Sequence, residues 1–324
     1  MEDNHSIRGF KGFDKDLSCR GFQYEVGGDY SQIRYPKAHY NGFHFCENPL
    51  QVLDYYSPND SRYCEVYGSS NIDRAEEDDS LMATSHINIA KEVGVDGLVK
   101  AGRQYIIAKI DNQKPFTKQS LASNIKSNTS VGSFCYKSIS ANYGAYAEVT
   151  NAADNSIAAS VGNSSMAYTI GGWSIAANCG GKSFAICDKS LSIACNCGQS
   201  SIALNNGRNS ASITSGGKSI AKNFGDCGMS CCLGDSSLAE SHGIYSVALS
   251  MSYGSVASVD GHNSVAIAVG GRTLAKGTIG NWIVLTQYDF VGDIKDIKAF
   301  KIDGVRIKEN TTYKLVDGQA VEVN

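Results

Sequence analysis

Polar and apolar positions recur with a fixed period of nine residues from Ser120 to Ala275. The unit reads Ser-φ-Ala-x-x-x-Gly-x-x, where φ is apolar, as in Ser174-Ile175-Ala176 and Ser201-Ile202-Ala203. Unit starts from 120 to 273 give 18 units. A short period held over this length is typical of a solenoid. The pattern therefore predicts a mainly β protein built around a nonapeptide β-solenoid, either a β-roll or a β-helix, over residues 116–277.

The order of residues within the unit predicts one short strand followed by a turn. We expect the apolar second residue to point into a core and the glycine to supply a positive φ at a corner. The small third residue indicates a close approach, either at a corner of the coil or against a neighbouring subunit. Two units in each coil would make a flattened β-roll, and three would make a triangular solenoid. The sequence leaves both arrangements open.

Residues 1–115 have the mixed pattern of a small α+β domain. Strands are predicted at 7–13, 21–27, 42–46 and 62–67. A short helix is predicted after Asn48-Pro49, since an N-cap residue followed by proline is a helix-start signal. A second helix is predicted from about Ser80, after the acidic cluster at 76–79, and a last strand over 104–110.

Residues 278–324 predict a C-terminal β-hairpin cap. A strand is expected over 281–286. Asp303-Gly304 and Asp317-Gly318 each lie between alternating apolar residues, which predicts two hairpins. Such a cap would cover the open edge of the last coil.

Composition excludes several classes of partner. The net charge is −3 over 324 residues, which gives no sign of nucleic-acid binding. No signal peptide or membrane span is expected from the apolar pattern. The eleven cysteines contain no Cys-x-x-Cys pair and favour free thiols in a reducing compartment. Acidic residues are scattered through the repeats, so no metal site is predicted.

The chain as a whole resembles an uncharacterised family of phage and bacterial proteins. These proteins combine a domain carrying a Gly-Phe-His-Phe-Cys-x-Asn-Pro motif, found here at 42–49, with nonapeptide repeats and a short C-terminal β tail. The resemblance implies a protein of the bacterial host cytoplasm or of a virion. It implies no particular activity.

The N-terminal domain also resembles, more distantly, the ADP-ribosyltransferases of the diphtheria-toxin and poly(ADP-ribose) polymerase type. The resemblance lies in Phe10-Lys11-Gly12, in the segment 42–48 and in the tyrosine that follows it at position 55. It implies NAD as a possible cofactor, with Lys11 and Gly12 at the ribose and with His44 and Tyr55 on either side of nicotinamide.

Three departures from that family fall on the chemistry. Lys11 stands at the family's histidine, His44 at its first tyrosine and Gln104 at its glutamate, which heads a late strand. Glutamine carries no negative charge and cannot stabilise an oxocarbenium-like centre. The catalytic candidates are therefore Lys11, His44 and Gln104, and the cofactor-binding candidates are Lys11, Gly12, His44 and Tyr55.

Two functions follow from these patterns. The first is a phage-type binding or structural protein in which the solenoid displays or oligomerises an N-terminal recognition domain. The second is an NAD- or nucleotide-binding protein with degenerate or weak mono-ADP-ribosyltransferase activity. The expected partners are a protein or a small nucleotide ligand, and a second copy of the chain bound through the solenoid. No membrane partner is expected.

Overall fold

The computed structural model describes residues 6–75, 80–109, 116–117 and 121–323. The protein is mainly β and divides into two compact units, Met1–Tyr105 and Ile106–Asn324. The first unit is a small β domain, and the second contains the solenoid and the C-terminal strands. Among the helices that the structure describes, none is both long and apolar enough to cross a membrane.

The first unit is built on antiparallel strands. Its elements are β1 (Ile7–Phe13), β2 (Ser18–Cys19), β3 (Phe22–Gln23), β4 (Asp29–Ser31), β5 (Phe43–Cys46), a 3₁₀ turn (Pro49–Gln51), α1 (Val52–Tyr55), β6 (Arg62–Arg74), β7 (Leu81–Glu92) and α2 (Gly94–Lys109). The strand order is β4-β7-β5-β1-β6, and β6 also pairs with β7. The pairings of β1, β5, β7 and β6 thus form a closed ring. Its apolar core includes Phe13, Phe45, Val66, Met82, Ile87 and Ile89.

Several predicted elements of this unit are confirmed. Strands occupy 7–13, 43–46 and 62–74, and the predicted strand at 21–27 shrinks to β3, which pairs with β2. The helix start is also confirmed, because Asn48 Oδ1 accepts a hydrogen bond from the backbone N–H of Leu50 at 3.1 Å. The acidic cluster at 76–79 lies outside the described residues.

Two predictions for this unit are wrong. The helix expected from Ser80 is strand β7, in which Ile87 and Ile89 are buried between half-exposed neighbours, as in a strand with one face in the core. A strand was expected over 104–110; residue 110 lies outside the described residues, and residues 104–109 belong instead to helix α2. There the buried residues Leu98, Gly102 and Ile106 recur every four positions, which is the spacing of one helical face.

After the last residues of α2, the described part of the second unit continues with twenty short strands that stack in parallel. They are β8 (Phe116–Thr117), β9 (Leu121–Asn124), β10 (Ser130–Ser133), β11 (Ile139–Asn142), β12 (Glu148–Asn151), β13 (Ile157–Ser160), β14 (Met166–Thr169), β15 (Ile175–Asn178), β16 (Phe184–Cys187), β17 (Ile193–Asn196), β18 (Ile202–Asn205), β19 (Ala211–Thr214), β20 (Ile220–Asn223), β21 (Met229–Cys232), β22 (Leu238–Ser241), β23 (Val247–Ser250), β24 (Val256–Val259), β25 (Val265–Ala268), β26 (Leu274–Gly277) and β27 (Trp282–Tyr288). Each strand from β8 to β25 pairs with the strand two places further along, so Ile157 lies beside Ile175, 18 residues later.

This pairing makes a β-roll of two units per coil and about nine turns. The odd-numbered strands β9 to β27 continue into β28 (Ile294–Lys301) and form an 11-stranded sheet, here called the odd sheet. The even-numbered strands β8 to β26 continue into β29 (Tyr313–Val316) and β30 (Gln319–Glu322) and form a 12-stranded sheet, the even sheet. Of the two arrangements left open by the sequence, the flattened roll is the observed one.

The interior of the roll is lined by small residues. Each repeat strand occupies positions two to five of its unit, and positions three and five point inward. The third-position alanines pack together in one buried cluster that includes Ala158, Ala167, Ala176, Ala185, Ala194 and Ala203. The large apolar residue at position two lies on the opposite side of the strand from these alanines. On the odd sheet it is partly exposed, as at Ile175 (38%) and Ile193 (41%), so the prediction that it points into the core is wrong there. On the even sheet it is buried, as at Phe184 and Ile220. The third residue is small because the two sheets lie close together.

The serine at position one forms a hydrogen-bonded ladder along the roll. The backbone N–H of Ser183 donates to Ser201 Oγ at 3.2 Å, and the N–H of Ser201 donates to Ser219 Oγ at 3.2 Å. Ser201 Oγ in turn donates to the carbonyl oxygen of Gln199 at 3.0 Å. Buried polar groups are thus satisfied from one coil to the next, which keeps this interior stable without large apolar side chains.

The glycine at position seven is required for a different structural reason from the positive φ that was predicted. At Gly180 a Cβ atom would overlap the carbonyl oxygen of Gly162, one coil earlier. The positive φ angles fall instead on position nine, for example at Trp173 (55°) and Lys182 (56°). Glycine is required by the close stacking of the coils.

The C-terminal strands extend both sheets of the roll with antiparallel partners. β28 pairs with β27, and β29 pairs with β26. The predicted hairpin at Asp317-Gly318 is confirmed, with positive φ at both turn residues. The hairpin predicted at Asp303-Gly304 is wrong, because Asp303 Oδ1 accepts three backbone N–H bonds, from Val305, Arg306 and Ile307, and holds a loop.

Candidate functional site

The first unit contains a pocket of about 790 Å³ between β1, β5, α1 and the loops beside them. Its wall combines cationic, aromatic and thiol side chains. The residues that matter for its chemistry are Lys11, Gly12, Cys19, Arg20, Phe22, Tyr24, Tyr40, His44, Asp14, Asp54, Tyr55 and Tyr56. A concave site of this size with a few polar groups is the usual form of a small-molecule site.

Lys11 is a buried cation in the wall of this pocket. It lies on β1, and only 5% of it is exposed. Its Nζ donates to the carbonyl oxygen of His44 at 2.9 Å and lies 3.5 Å from Cys19 Sγ. The rings of Phe13 and Tyr24 both lie 5.5 Å from this Nζ. Burial lowers the pKa of Lys11 below its usual range, since desolvation disfavours the charged form.

The charge of Lys11 is not balanced by an ion pair within the described residues. Arg20, at the exposed mouth of the pocket, likewise has no carboxylate partner there. Asp14 and Asp54 also line the wall, so both signs of charge are present. The pocket therefore offers two cations whose charge a bound anion could balance.

His44 is neutral at physiological pH. It lies on β5 opposite Ala83 of β7. Burial lowers the pKa of His44 to about 4, and the positive charges of Lys11 and Arg20 add to this effect. Its buried Nε2 has no hydrogen-bond partner among the described residues. His44 can therefore serve as a neutral hydrogen-bonding or stacking group.

Tyr56 and Cys19 form a second polar contact in the wall. The Tyr56 hydroxyl donates to Cys19 Sγ at 3.0 Å, so the sulfur receives hydrogen bonds from both Tyr56 and Lys11. Burial, followed by the contact with Cys19, raises the pKa of Tyr56, which keeps the hydroxyl protonated. A Cβ atom at Gly12 would overlap the Tyr56 ring, so the glycine is needed for this packing.

The mouth of the pocket is aromatic. Tyr55, at the end of α1, is 47% exposed. Phe22 and Tyr40 are also exposed, and Tyr24 contacts Phe22 edge-on with ring centroids 4.7 Å apart. Exposed rings beside a cationic wall can stack on a planar group while the cations bind an anionic one.

The structure brings four of the five candidates from the sequence into this one pocket: Lys11, Gly12, His44 and Tyr55. Gln104 is exposed on helix α2 and is not among the described residues that line the pocket. The strand that it was expected to head is therefore missing at that position. Sequence reasoning overlooked Cys19, Arg20 and Tyr56, which lie outside any recognisable motif and reach the pocket only through the fold.

Comparison with known proteins gives one match. A family model described as a domain of unknown function (DUF7666) matches residues 7–101. The match contains the whole pocket and ends before the repeats. Neither the curated proteins nor the solved structures gave a match. These comparisons add no support for the resemblance to ADP-ribosyltransferases.

Proposed function

We propose that this is a binding protein whose N-terminal pocket takes a small anionic ligand with a planar ring, and whose solenoid is a rigid scaffold for that domain. The observation that carries the proposal is the buried cation Lys11 in the wall of a 790 Å³ pocket, without a carboxylate partner among the described residues. A β-solenoid joined to such a domain is consistent with a structural or binding role.

The charge of the wall supports an anionic ligand. A buried ammonium group loses its hydration, and a hydrogen-bonded anion offsets that cost. Because burial lowers the pKa of Lys11, a bound anion would raise that pKa again.

The rings at the mouth support a planar group on the same ligand. Tyr55, Tyr40 and Phe22 are all exposed there. Stacking on such rings is worth about 1–3 kcal/mol per base in nucleic-acid complexes. A nucleotide combines the anionic and planar parts, and NAD is one member of this class.

The test is calorimetric titration of the full chain with NAD and, separately, with AMP. We expect saturable binding of at least one of them. The Lys11→Met substitution should weaken binding by about 10-fold or more, since it removes a charge-assisted hydrogen bond. Tyr55→Ala should weaken it by about 5-fold or more through loss of stacking.

Tyr35→Ala is the matched control, since Tyr35 is exposed but is not among the described lining residues. It should bind like the wild type. Absence of binding with both nucleotides would refute the proposal, as would equal binding by the wild type and the Lys11→Met variant.

Weak ADP-ribosyl transfer is the second candidate function. The placement of Lys11, Gly12, His44 and Tyr55 in one pocket favours it, and the placement of Gln104 on α2 opposes it. Release of free nicotinamide from NAD by the wild type, lost in His44→Ala, would favour transfer over simple binding.

A further inference from the structure

The outward face of the odd sheet is an uncharged and largely apolar surface. Positions two and four of its ten repeat strands, β9 to β27, point away from the interior. The residues there are Leu121, Ser123, Ile139, Ala141, Ile157, Ala159, Ile175, Ala177, Ile193, Cys195, Ala211, Ile213, Met229, Cys231, Val247, Leu249, Val265, Ile267, Trp282 and Val284. None of these twenty side chains is charged. We call this surface the odd face.

The odd face differs from its counterpart on the even sheet. The corresponding positions of the even sheet include Glu148, Lys222, Glu240 and Lys276, and Lys222 pairs with Glu240 on the neighbouring strand. The absence of charge is thus a property of one sheet and not of the repeat. Several isoleucines and a methionine of the odd face are more than one-third exposed, as Ile175 (38%) and Ile193 (41%) illustrate.

We propose that the odd face binds the odd face of a second copy of this chain, giving a two-fold dimer. Each chain presents this uncharged face, and one self-complementary patch closes a pair, whereas a ring of three chains needs two contact surfaces on each chain. Contiguous apolar patches of this extent mark interaction sites on soluble proteins.

The area agrees with a stable dimer. Ten strands spaced about 4.8 Å apart, each with four residues at about 3.3 Å, cover roughly 600 Å². Two such faces in contact would remove roughly 1,200 Å² of surface from water, the lower end of the range for specific interfaces. The strands of the roll are rigidly paired on both sides, so little chain ordering opposes the association.

Strand β28 opposes the alternative of edge-to-edge growth. It pairs with β27 at the end of the odd sheet and carries Lys295, Lys298 and Lys301. Lysines on an edge strand disfavour the addition of another strand. Lys301 lies opposite Trp282, so a charged residue borders the apolar surface at this end.

The odd face contains a groove that can determine how two such faces align. Ala211 replaces the larger residue found on either side at Ile193 and Met229, and the groove above it has a volume of about 560 Å³. Trp173 and Tyr245 line its rim. A bulky side chain from the facing copy can enter this groove, which fixes the register of the two faces.

The test is the mass of the full chain in solution over a dilution series. The wild type should have twice the 34.5 kDa of one chain. Ile175→Glu should raise the dimer dissociation constant by about 100-fold or more, because it places an unpaired charge in an apolar contact. Ile170→Glu is the matched control: Ile170 has nearly the same exposure (37%) but follows β14 of the even sheet.

The two tryptophans of the chain give a second measurement on the same surface. Trp282 lies on the odd face, and Trp173 lies beside it, 64% exposed. Their emission should shift to longer wavelength on dilution and in Ile175→Glu, but not in Ile170→Glu. A wild type that stays monomeric at every concentration, or equal effects of the two substitutions, would overturn the proposal. Neither result bears on nucleotide binding by the N-terminal pocket.

Discussion

His44 shows how the wall of the pocket imposes a protonation state on one of its own members. Its imidazole is desolvated, and the cations Lys11 and Arg20 lie near enough to oppose a further positive charge. In the unfolded chain the same ring has its ordinary pKa of 6.5, against about 4 in the fold. Between these two values the unfolded state binds more protons, so stability rises with pH in that window.

This difference predicts an acid-sensitive contribution from a single side chain. The contribution is complete above about pH 6.5 and is lost progressively as the pH falls towards about 4. On acidification through this range the wild type should lose roughly 1–2 kcal/mol more stability than His44→Gln, after allowance for partial solvent screening. Denaturant unfolding at several pH values measures it. His262→Gln, at an exposed corner of the roll, should follow the wild type.

Substitution of two adjacent glycines, one at a time, tests how closely the coils stack. A Cβ atom at Gly180 would overlap the carbonyl oxygen of Gly162, whereas at Gly181 the nearest atom would be Gln199 O at 3.4 Å. Gly180→Ala should therefore destabilise the protein by about 2 kcal/mol or more, since backbone atoms must move. Gly181→Ala should change stability by no more than about 0.5 kcal/mol. Equal melting temperatures for the two variants would contradict the close stacking.

A single repeat unit shows which features of a strand can be predicted from its sequence. The period of nine places strands β9 to β26 correctly, because a strand and a turn need their residues in that order. It does not say which side of the strand faces inward. In Ser174-Ile175-Ala176 hydrophobicity favours isoleucine as the core residue, yet Ser174 and Ala176 are buried and Ile175 is 38% exposed. The spacing between the two sheets decides this, and that spacing is a tertiary property.

Helix α2 and the pocket of the N-terminal domain also depend on tertiary contacts that the local sequence does not predict. The β-branched pair Ile106-Ile107 favours a strand by local propensity, but one of the two is buried and the other exposed on a helix. Motif reasoning brought Lys11 and His44 to one site because both belong to recognisable segments. Cys19 and Tyr56 meet there only when a two-residue strand and the end of α1 fold together, which no local pattern encodes.

In the two-sheet architecture, the sheet that each repeat unit joins depends on whether an odd or an even number of units precedes it. Successive units alternate between the odd and even sheets, and pairing connects strands 18 residues apart. The interior positions of the two sheets are alike, but their outward rows differ: the odd face is uncharged and the even sheet carries Lys222 and Glu240. The C-terminal strands also depend on this alternation, since β28 joins one sheet and β29 the other.

The loss of stability caused by a deletion in the roll should therefore not increase with the number of residues removed. Removing residues 192–209 takes out one complete coil and leaves every later unit in its own sheet, so the chain should fold with a modest loss of stability and retain the dimer. Removing only 192–200 transfers all later units to the opposite sheet. Lys222 and Glu240 would then enter the row of the odd face, and the C-terminal strands would meet the wrong partners. We expect the shorter deletion to give the lower melting temperature and a monomer in light scattering. The longer deletion should cost little stability, because each coil in a solenoid contacts only its neighbours. A lower melting temperature for the longer deletion would show that the two sheets are interchangeable.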